Sequence, residues 1–313
     1  MSNCTKGIIL AGGSGTRLYP LTTLTNKQFL PIYNKPAIYY PLTTLMLAGI
    51  KDILIISNPS DKKTLENNLG NGKAWNINIS YAEQLSPRGI PEAFIIGENF
   101  IGNDNVALIL GDNFFHGPGF SDVLEATTQN IKGAHLFAYG VSDPKRFGVV
   151  SFDKYGKITQ IEEKPEKPKS RFAVTGLYFY DNSVIEYAKS LRPSKRGELE
   201  ITDLNNLYVI QNKAYVNLLG RGFVWFDIGT PLALNQASSY VHVLEEQQAV
   251  GIACPEEVSW RMGWINNTQF EALISKLPNG QYASYLNEIL HESFEQAQFH
   301  QTLINEKIQQ KKS

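Results

Sequence analysis

The sequence predicts an α/β fold built on a mainly parallel mixed sheet flanked by helices, and three observations predict it. Short apolar runs alternate with longer amphipathic stretches from Gly7 to Leu110, the pattern of successive βαβ units. The first apolar run opens directly into a glycine-rich turn, as strands do where their backbone faces an anion. After Asp112 the rhythm changes to strands separated by turn signals instead of long helices.

In chain order, the alternating segments are Gly7–Ala11, Ile38–Leu47, Ile53–Ser57, Lys62–Leu69, Ile77–Tyr81, Glu92–Phe100 and Val106–Leu110. Ligands of such sheets bind beyond the carboxyl ends of the strands, which is where the turn Gly12–Arg17 and Asp112 both fall. Leu136–Val141, Phe147–Phe152 and Leu177–Tyr180 read as further strands, with Asp153–Lys157 as a hairpin turn. Ala233–Gln248 and Thr268–Leu277 read as helices, and the polar, glutamine-rich end from Tyr285 as helical to Ile308. No internal repeat or flexible interdomain linker interrupts the chain.

Composition narrows the partners. The formal net charge is -1 and the only terminal basic run is Lys311-Lys312, so neither nucleic acid nor an acidic membrane is expected, and the substrate is expected to be small. No apolar stretch is long enough to cross a bilayer. Cys4 and Cys254 lie far apart without metal-binding spacing, which fits a reducing cytoplasm better than a disulfide framework or zinc site.

The chemistry-bearing residues begin at Leu10-Ala11-Gly12-Gly13-Ser14-Gly15-Thr16-Arg17, with Lys27 behind it. No acidic residue precedes Asp52, so this end of the chain favours a multiply charged anion. The large Leu18 and the lack of a ribose-binding acid argue against a dinucleotide fold, and Gly15-Thr16-Arg17 lacks the lysine of a Walker loop. A plain tight turn stays open as the alternative. Asp112 follows a buried strand and is either a magnesium ligand or a turn aspartate. Asp227 ends an aromatic strand and would complete a metal site only if it meets Asp112. In Glu162-Glu163-Lys164-Pro165, Glu163 and Lys164 suit sugar hydroxyls and a phosphate, against a solvated Glu/Lys turn. Gln84, near Pro87 and Gly89, carries an amide able to pair with both donor and acceptor of a pyrimidine edge.

Taken together, these segments resemble the sugar-1-phosphate nucleotidyltransferases over roughly Lys6 to Leu290. The most specific are Leu10 to Pro20, Asn26-Lys27-Gln28, Leu110 to Asn113, Glu162 to Pro165, Val174 to Tyr178, Gly197 to Asp203 and Trp225 to Thr230. The resemblance implies a Rossmann-like fold of the nucleotide-diphospho-sugar transferase type. It divides the chain into a core of residues 1–231, a helical dimerisation and allosteric region of 232–290 and a tail of 291–313. Within the core, about 1–112 would serve the nucleotide and 113–231 the sugar phosphate.

The activity it implies is transfer of a thymidylyl group from dTTP to glucose 1-phosphate with Mg2+ as cofactor. UTP or another hexose phosphate is the alternative pair, and a catalytically silent nucleotide-sugar-binding regulator the alternative class. Leu10, Gly12, Gly13, Ser14, Gly15, Thr16, Gln84, Pro87 and Gly89 would bind the nucleotide. Arg17 and Lys27 would hold the leaving pyrophosphate, and Asp112 and Asp227 the metal. Gly148, Glu163, Lys164 and Val174 would line the sugar phosphate. A feedback site involving Arg221, Glu257 and Arg261 and a homotetramer are also implied. Arg88 and Glu92 replace the usual aspartate and glutamine around Gly89. The altered segment Phe115-His116-Gly117-Pro118-Gly119 leads to an expectation of weakened feedback inhibition.

Overall fold

The computed structural model of the chain describes residues 4–13 and 15–292. Ser14 and the tail from residue 293 lie outside the described residues. The first half builds β1 (Cys4–Leu10), the short hairpin β2 (Pro31–Ile32) and β3 (Lys35–Pro36), α1 (Tyr39–Leu47), β4 (Asp52–Ser57), α2 (Pro59–Leu69) and β5 (Asn78–Glu83). Then come α3 (Glu92–Ile96), α4 (Glu98–Ile101), β6 (Asn105–Leu110), β7 (Asn113–His116) and α5 (Phe120–Gln129). The second half adds β8 (Ala134–Gly140), β9 (Gly148–Phe152), β10 (Ile158–Glu163), β11 (Phe172–Tyr180), α6 (Val184–Ser190) and α7 (Ile201–Ile210). β12 (Ala214–Leu219), β13 (Val224–Asp227), α8 (Pro231–Gln248), α9 (Pro255–Arg261) and α10 (Asn267–Ile274) follow, with residues 281–292 again helical.

Among the described residues one sheet of nine strands forms the centre, in the order β10-β9-β11-β6-β1-β4-β5, with β8 pairing β11 and β12 pairing β8. The expected parallel half is present: β1 lies parallel between β4 and β6, with Leu10 opposite both Ile56 and Leu110. β11 runs antiparallel to β6, β8 and β9 and is longer than its expected apolar segment. It is the strand that hands the parallel half over to the antiparallel half. The expected hairpin joins β9 to β10, placing Gly148 opposite Glu163.

The continuous apolar runs are explained by burial on both faces. Ile9, Ile55 and Ile109 pack on one side with Leu42, Leu45 and Leu65 of α1 and α2. Ile8, Leu54 and Leu108 pack on the other with Phe94, Val184 and Leu204 of α3, α6 and α7. Alternate residues of each strand thus enter opposite cores. The stretch expected as one helix from Glu92 breaks at Gly97, where an added Cβ would press on the Ala93 carbonyl and Ile8. The C-terminal helices form a further core of Cys254, Ile265, Phe270, Ile274, Leu286 and Leu290.

Candidate active site

Because β5, β4, β1 and β6 are parallel and in register, their carboxyl ends finish at one edge of the sheet. The backbone ladder continues one step past each strand, through Gln84 N to Ser57 O, Ala11 N to Ile56 O and Gly111 N to Leu10 O. Gln84, the glycine turn and Asp112 are therefore fixed side by side by the sheet itself. Leu10, Gly12, Gly13, Lys27, Gln84, Pro87, Gly89 and Asp112 line a single cavity of about 190 Å3, joined by Ile90, Leu110 and Glu198.

The glycine turn is held by a side chain that sequence reasoning missed. Asn58 accepts from Gly13 N and donates to Gly13 O, each at 3.3 Å, and its amide also reaches Asp61. Asp61 in turn takes the Asn26 amide at 2.5 Å, tying the turn to the segment that carries Lys27. Asn58 stands at the start of α2 but does not cap it. The Asn-Pro signal at a helix start locates the residue but does not disclose this use. Gly13 has φ of 97°, a conformation that residues with side chains resist, and a Cβ there would lie 3.9 Å from the Lys27 ammonium.

Asp112 is buried and both its oxygens are engaged. Lys27 Nζ lies 2.5 Å from Oδ2, and Asn113 Nδ2 donates to Oδ1 at 3.1 Å. Burial pushes this carboxyl up, but the charge and hydrogen bond of Lys27, with Asn113, outweigh it and hold Asp112 below the ordinary carboxylate range. Asp227 reaches the same place by a separate two-stranded sheet, in which β13 pairs antiparallel with β7 and Asp227 stands opposite Asn113. Ile228 N donates to the Asp112 carbonyl at 3.0 Å. Burial first, then the Asp112 charge, raise the Asp227 carboxyl above its ordinary value against the pull of Arg17 and Lys27. The two acids thus meet, which spacing in the sequence left open.

Arg17 is exposed and its guanidinium packs over Gly229, where an added Cβ would lie 2.6 Å from Nη2. It belongs to the acidic side of the site and is not among the residues lining the cavity around Gln84. Gly15 and Thr16 open the short turn that carries it. Among the described residues no cluster of three or more His, Cys, Asp or Glu is arranged for a metal. A buried carboxylate beside a half-buried one whose carboxyl it raises fits a hard cation that completes its shell with phosphate oxygens and water.

Of the residues expected to line a sugar phosphate, Gly148, Glu163 and Lys164 gather at one end of the β9–β10 hairpin. Glu163 accepts from Thr202 Oγ1 at 2.6 Å, and Lys164 Nζ lies 3.3 Å from Glu163. Arg196 reaches Glu163 at 3.7 Å, Glu200 at 2.6 Å and Glu198 at 3.9 Å, so it links this group to the cavity around Gln84. Gly148 leaves room for Thr202, and Val174 is buried in β11. Tyr178 lies between the two groups: burial first, then the charges of Glu163 and Asp112, raise its hydroxyl. Thr202, Arg196 and Glu198 fall inside or next to the segment Gly197 to Asp203, but their pairing with Glu163 is visible only in the fold.

Glu257 and Arg261 pair at 2.6 Å and line a second cavity of about 490 Å3 with Tyr40, Phe115, His116 and Val258. Arg221 is not among the residues that line it.

Comparison with known proteins agrees with this arrangement. The nucleotidyl transferase family matches residues 6–243. The glucose-1-phosphate thymidylyltransferase of Neisseria meningitidis is 53% identical over 91% of this chain and 99% of its own. That of Mycobacterium tuberculosis is 51% identical over the same shares. A crystal structure of a Bacillus anthracis protein assigned to the glucose-1-phosphate thymidylyltransferases, in complex with sucrose, superposes with a TM-score of 0.69 at 43% identity. It covers 75% of this chain and 94% of that one. A UDP-glucose pyrophosphorylase solved with UDP-glucose gives 0.65 at 26% identity, over 77% of this chain and 99% of its own. With the glycine turn, the paired acids and the Gln84 cavity at one sheet edge, the chain belongs to the nucleotidyl transferase family, alongside the glucose-1-phosphate thymidylyltransferases that share about half its residues.

Proposed function

We propose that the protein transfers a thymidylyl group from dTTP to α-D-glucose 1-phosphate, giving dTDP-glucose and pyrophosphate, at the start of dTDP-rhamnose or related deoxysugar synthesis in the cytoplasm. The observation that carries this reading is the convergence of Gly12, Gly13, Lys27, Gln84, Gly89 and Asp112 on one cavity, with Glu163 and Lys164 linked to it through Arg196. Half-identity to relatives of that name supports the choice of dTTP and glucose.

In this mechanism a phosphate oxygen of the sugar attacks the α-phosphorus of the nucleotide in line. One P–O bond forms as the bond to the departing pyrophosphate breaks. The chain does little covalent chemistry, because position and charge neutralisation supply most of the rate. The turn at Gly12 and Gly13 lets the triphosphate approach the backbone. Lys27 and Arg17 neutralise the leaving pyrophosphate, while Glu163, Lys164 and Gly148 hold the sugar phosphate, with Val174 behind them. Asp112 and Asp227 would hold Mg2+, which when bound supplies positive charge to the phosphate oxygens.

The test is pyrophosphate release by the purified protein with Mg2+, across dTTP, UTP, CTP, ATP and GTP against glucose 1-phosphate and its hexose analogues. Strong, chelator-sensitive turnover of dTTP with glucose 1-phosphate is expected. Preference for UTP would transfer the same chemistry to another product. Binding without turnover across the grid would favour a regulatory homologue. We further propose that the cavity at Glu257 and Arg261 is a nucleotide-binding feedback site in a homotetramer, with Arg221 contributed from elsewhere in the assembly and inhibition weakened by Phe115 to Gly119.

A further inference from the structure

The amide of Gln84 is not free to offer either end to a ligand. Its nitrogen donates to Glu92 Oε2 at 2.8 Å and directs its other hydrogen at the Gly89 carbonyl, 3.4 Å away. Its oxygen faces the glycine turn, where a Cβ on Gly12 would lie 2.8 Å from Oε1. Glu92 is buried, and its second oxygen takes the Arg88 guanidinium, with Nε at 2.7 Å. A carboxylate only accepts hydrogen bonds, so turning the Gln84 amide over would set oxygen against oxygen in a buried place.

We infer that Glu92, held by Arg88, is a positioning residue that fixes Gln84 with its carbonyl oxygen toward the nucleotide. The site is then built to accept a hydrogen bond from the base. Thymine and uracil carry an N–H on the ring nitrogen of their pairing edge; cytosine carries a lone pair there. The arrangement selects the first two and rejects the third, and is indifferent to the methyl group that separates thymine from uracil. This inference rests on the nucleotide reading of the cavity proposed above and adds the hydrogen-bond polarity that the base must match. It also gives a use to the buried Glu92 and to Arg88, which pairs with it.

The same geometry predicts what reverses the selection. In Glu92→Gln the Arg88 fork keeps the amide oxygen of residue 92 and leaves its N–H2 facing Gln84. Gln84 then turns over and presents its own N–H to the base. Reversing the outer partner as well, in R88E/E92Q, draws that N–H2 outward and returns its oxygen to Gln84.

The experiment measures kcat/KM for dTTP, UTP and CTP at saturating glucose 1-phosphate. E92Q is expected to lower the dTTP to CTP ratio by about 10-fold or more. The double variant should restore most of it, and the dTTP to UTP ratio should stay within about twofold throughout. Equal loss on all three nucleotides in E92Q, with the ratio unmoved, would show that Glu92 only supports the fold and would overturn the inference. If E92Q does not fold, Glu92→Met carries the test, because only the longer 3.4 Å contact with the Gly89 carbonyl then holds the amide, and the ratio is still expected to fall. A wild-type protein that uses neither dTTP nor UTP overturns the proposed function itself. A wild-type protein that uses them, with a ratio indifferent to residue 92, overturns this inference alone.

Discussion

The side chain of Asn113 joins the acidic centre to the antiparallel half of the sheet: Nδ2 donates to Asp112 Oδ1, while Oδ1 accepts from Gly176 N at 3.0 Å and Trp225 Nε1 at 2.6 Å. Gly176 is glycine because any Cβ there would lie 2.6 Å from the Asn113 amide. Asp112 therefore has one oxygen set by β11 and β13 through Asn113 and the other set by Lys27. Asn113→Ala leaves two donors and one carboxylate oxygen without partners in a buried place. It should cost about 1–3 kcal/mol of stability for each orphaned group that water cannot reach. Urea denaturation measures this, and a change below 0.5 kcal/mol, about the size of a neutral surface substitution, would mean that water replaces the amide.

Lys27 and Arg17 should affect turnover more than binding, since in the proposed mechanism both neutralise charge that grows as pyrophosphate departs. Lys27→Ala or Arg17→Ala is expected to lower kcat by roughly 10²–10³ with a much smaller change in KM. Steady-state kinetics decide; an unaltered kcat in Arg17→Ala removes that residue from the reaction.

Asp227 supplies a pH-dependent prediction with a definite sign. Burial and the neighbouring Asp112 raise its carboxyl in the folded protein, so its charged form is disfavoured there relative to the unfolded chain. The stability this acid contributes is complete below its unfolded value and is lost as pH rises through its folded one. Asp227→Asn should therefore raise the melting temperature of metal-free protein at neutral pH, and the gain should vanish in acid below the ordinary Asp range. The same variant should lose turnover. Thermal melts from pH 3 to 8 check the sign, and a constant gain across the range contradicts it.

Gly89 is required twice over, by a φ of 106° and by a Leu199 carbonyl that a Cβ would approach to 2.0 Å. Gly89→Ala should cost about 1–3 kcal/mol from backbone strain. It should also displace the bridge between Gly89 and Leu199, weakening dTTP binding while leaving the sugar side intact. Calorimetric titration with each substrate separates the two effects.

Glu163 is not among the residues that line the cavity around Gln84. Glu163→Ala removes the acceptor of Thr202 and the partner of Lys164, and should raise KM for glucose 1-phosphate about 10-fold with that for dTTP nearly unchanged. Parallel increases in both constants would place Glu163 in the scaffold instead.

Much of this was legible in the sequence because parallel strands write their ligand edge as a local pattern, an apolar run followed by a turn. Gly7–Ala11 with its glycines and Val106–Leu110 with Asp112 are such patterns, and the fold places both where the pattern puts them. What stayed hidden depends on contacts between distant segments. The helical stretch Lys62–Leu69 gives no sign that Asn58 stands beside Gly13, and the segment Leu110 to Asn113 gives none that Gly176 and Trp225 close on Asn113. Periodicity missed the beginning of β11 because Phe172 to Gly176 mixes apolar residues with Thr175 and Gly176, and the neighbouring strands, not the local pattern, hold that stretch extended.

The narrow ribbon of β7 and β13 has a consequence for how the protein comes into being. A growing chain emerges amino end first, so the phosphate turn and Asp112 leave the ribosome well before the strand that bears Asp227. A nascent polypeptide that stops short of residue 224 owns one carboxylate of the pair and lacks the Trp225 indole that steadies Asn113. On the proposed mechanism, chemical competence is therefore withheld from partial products of translation, and turnover of nucleotide becomes a signature of a chain that has been made past β13.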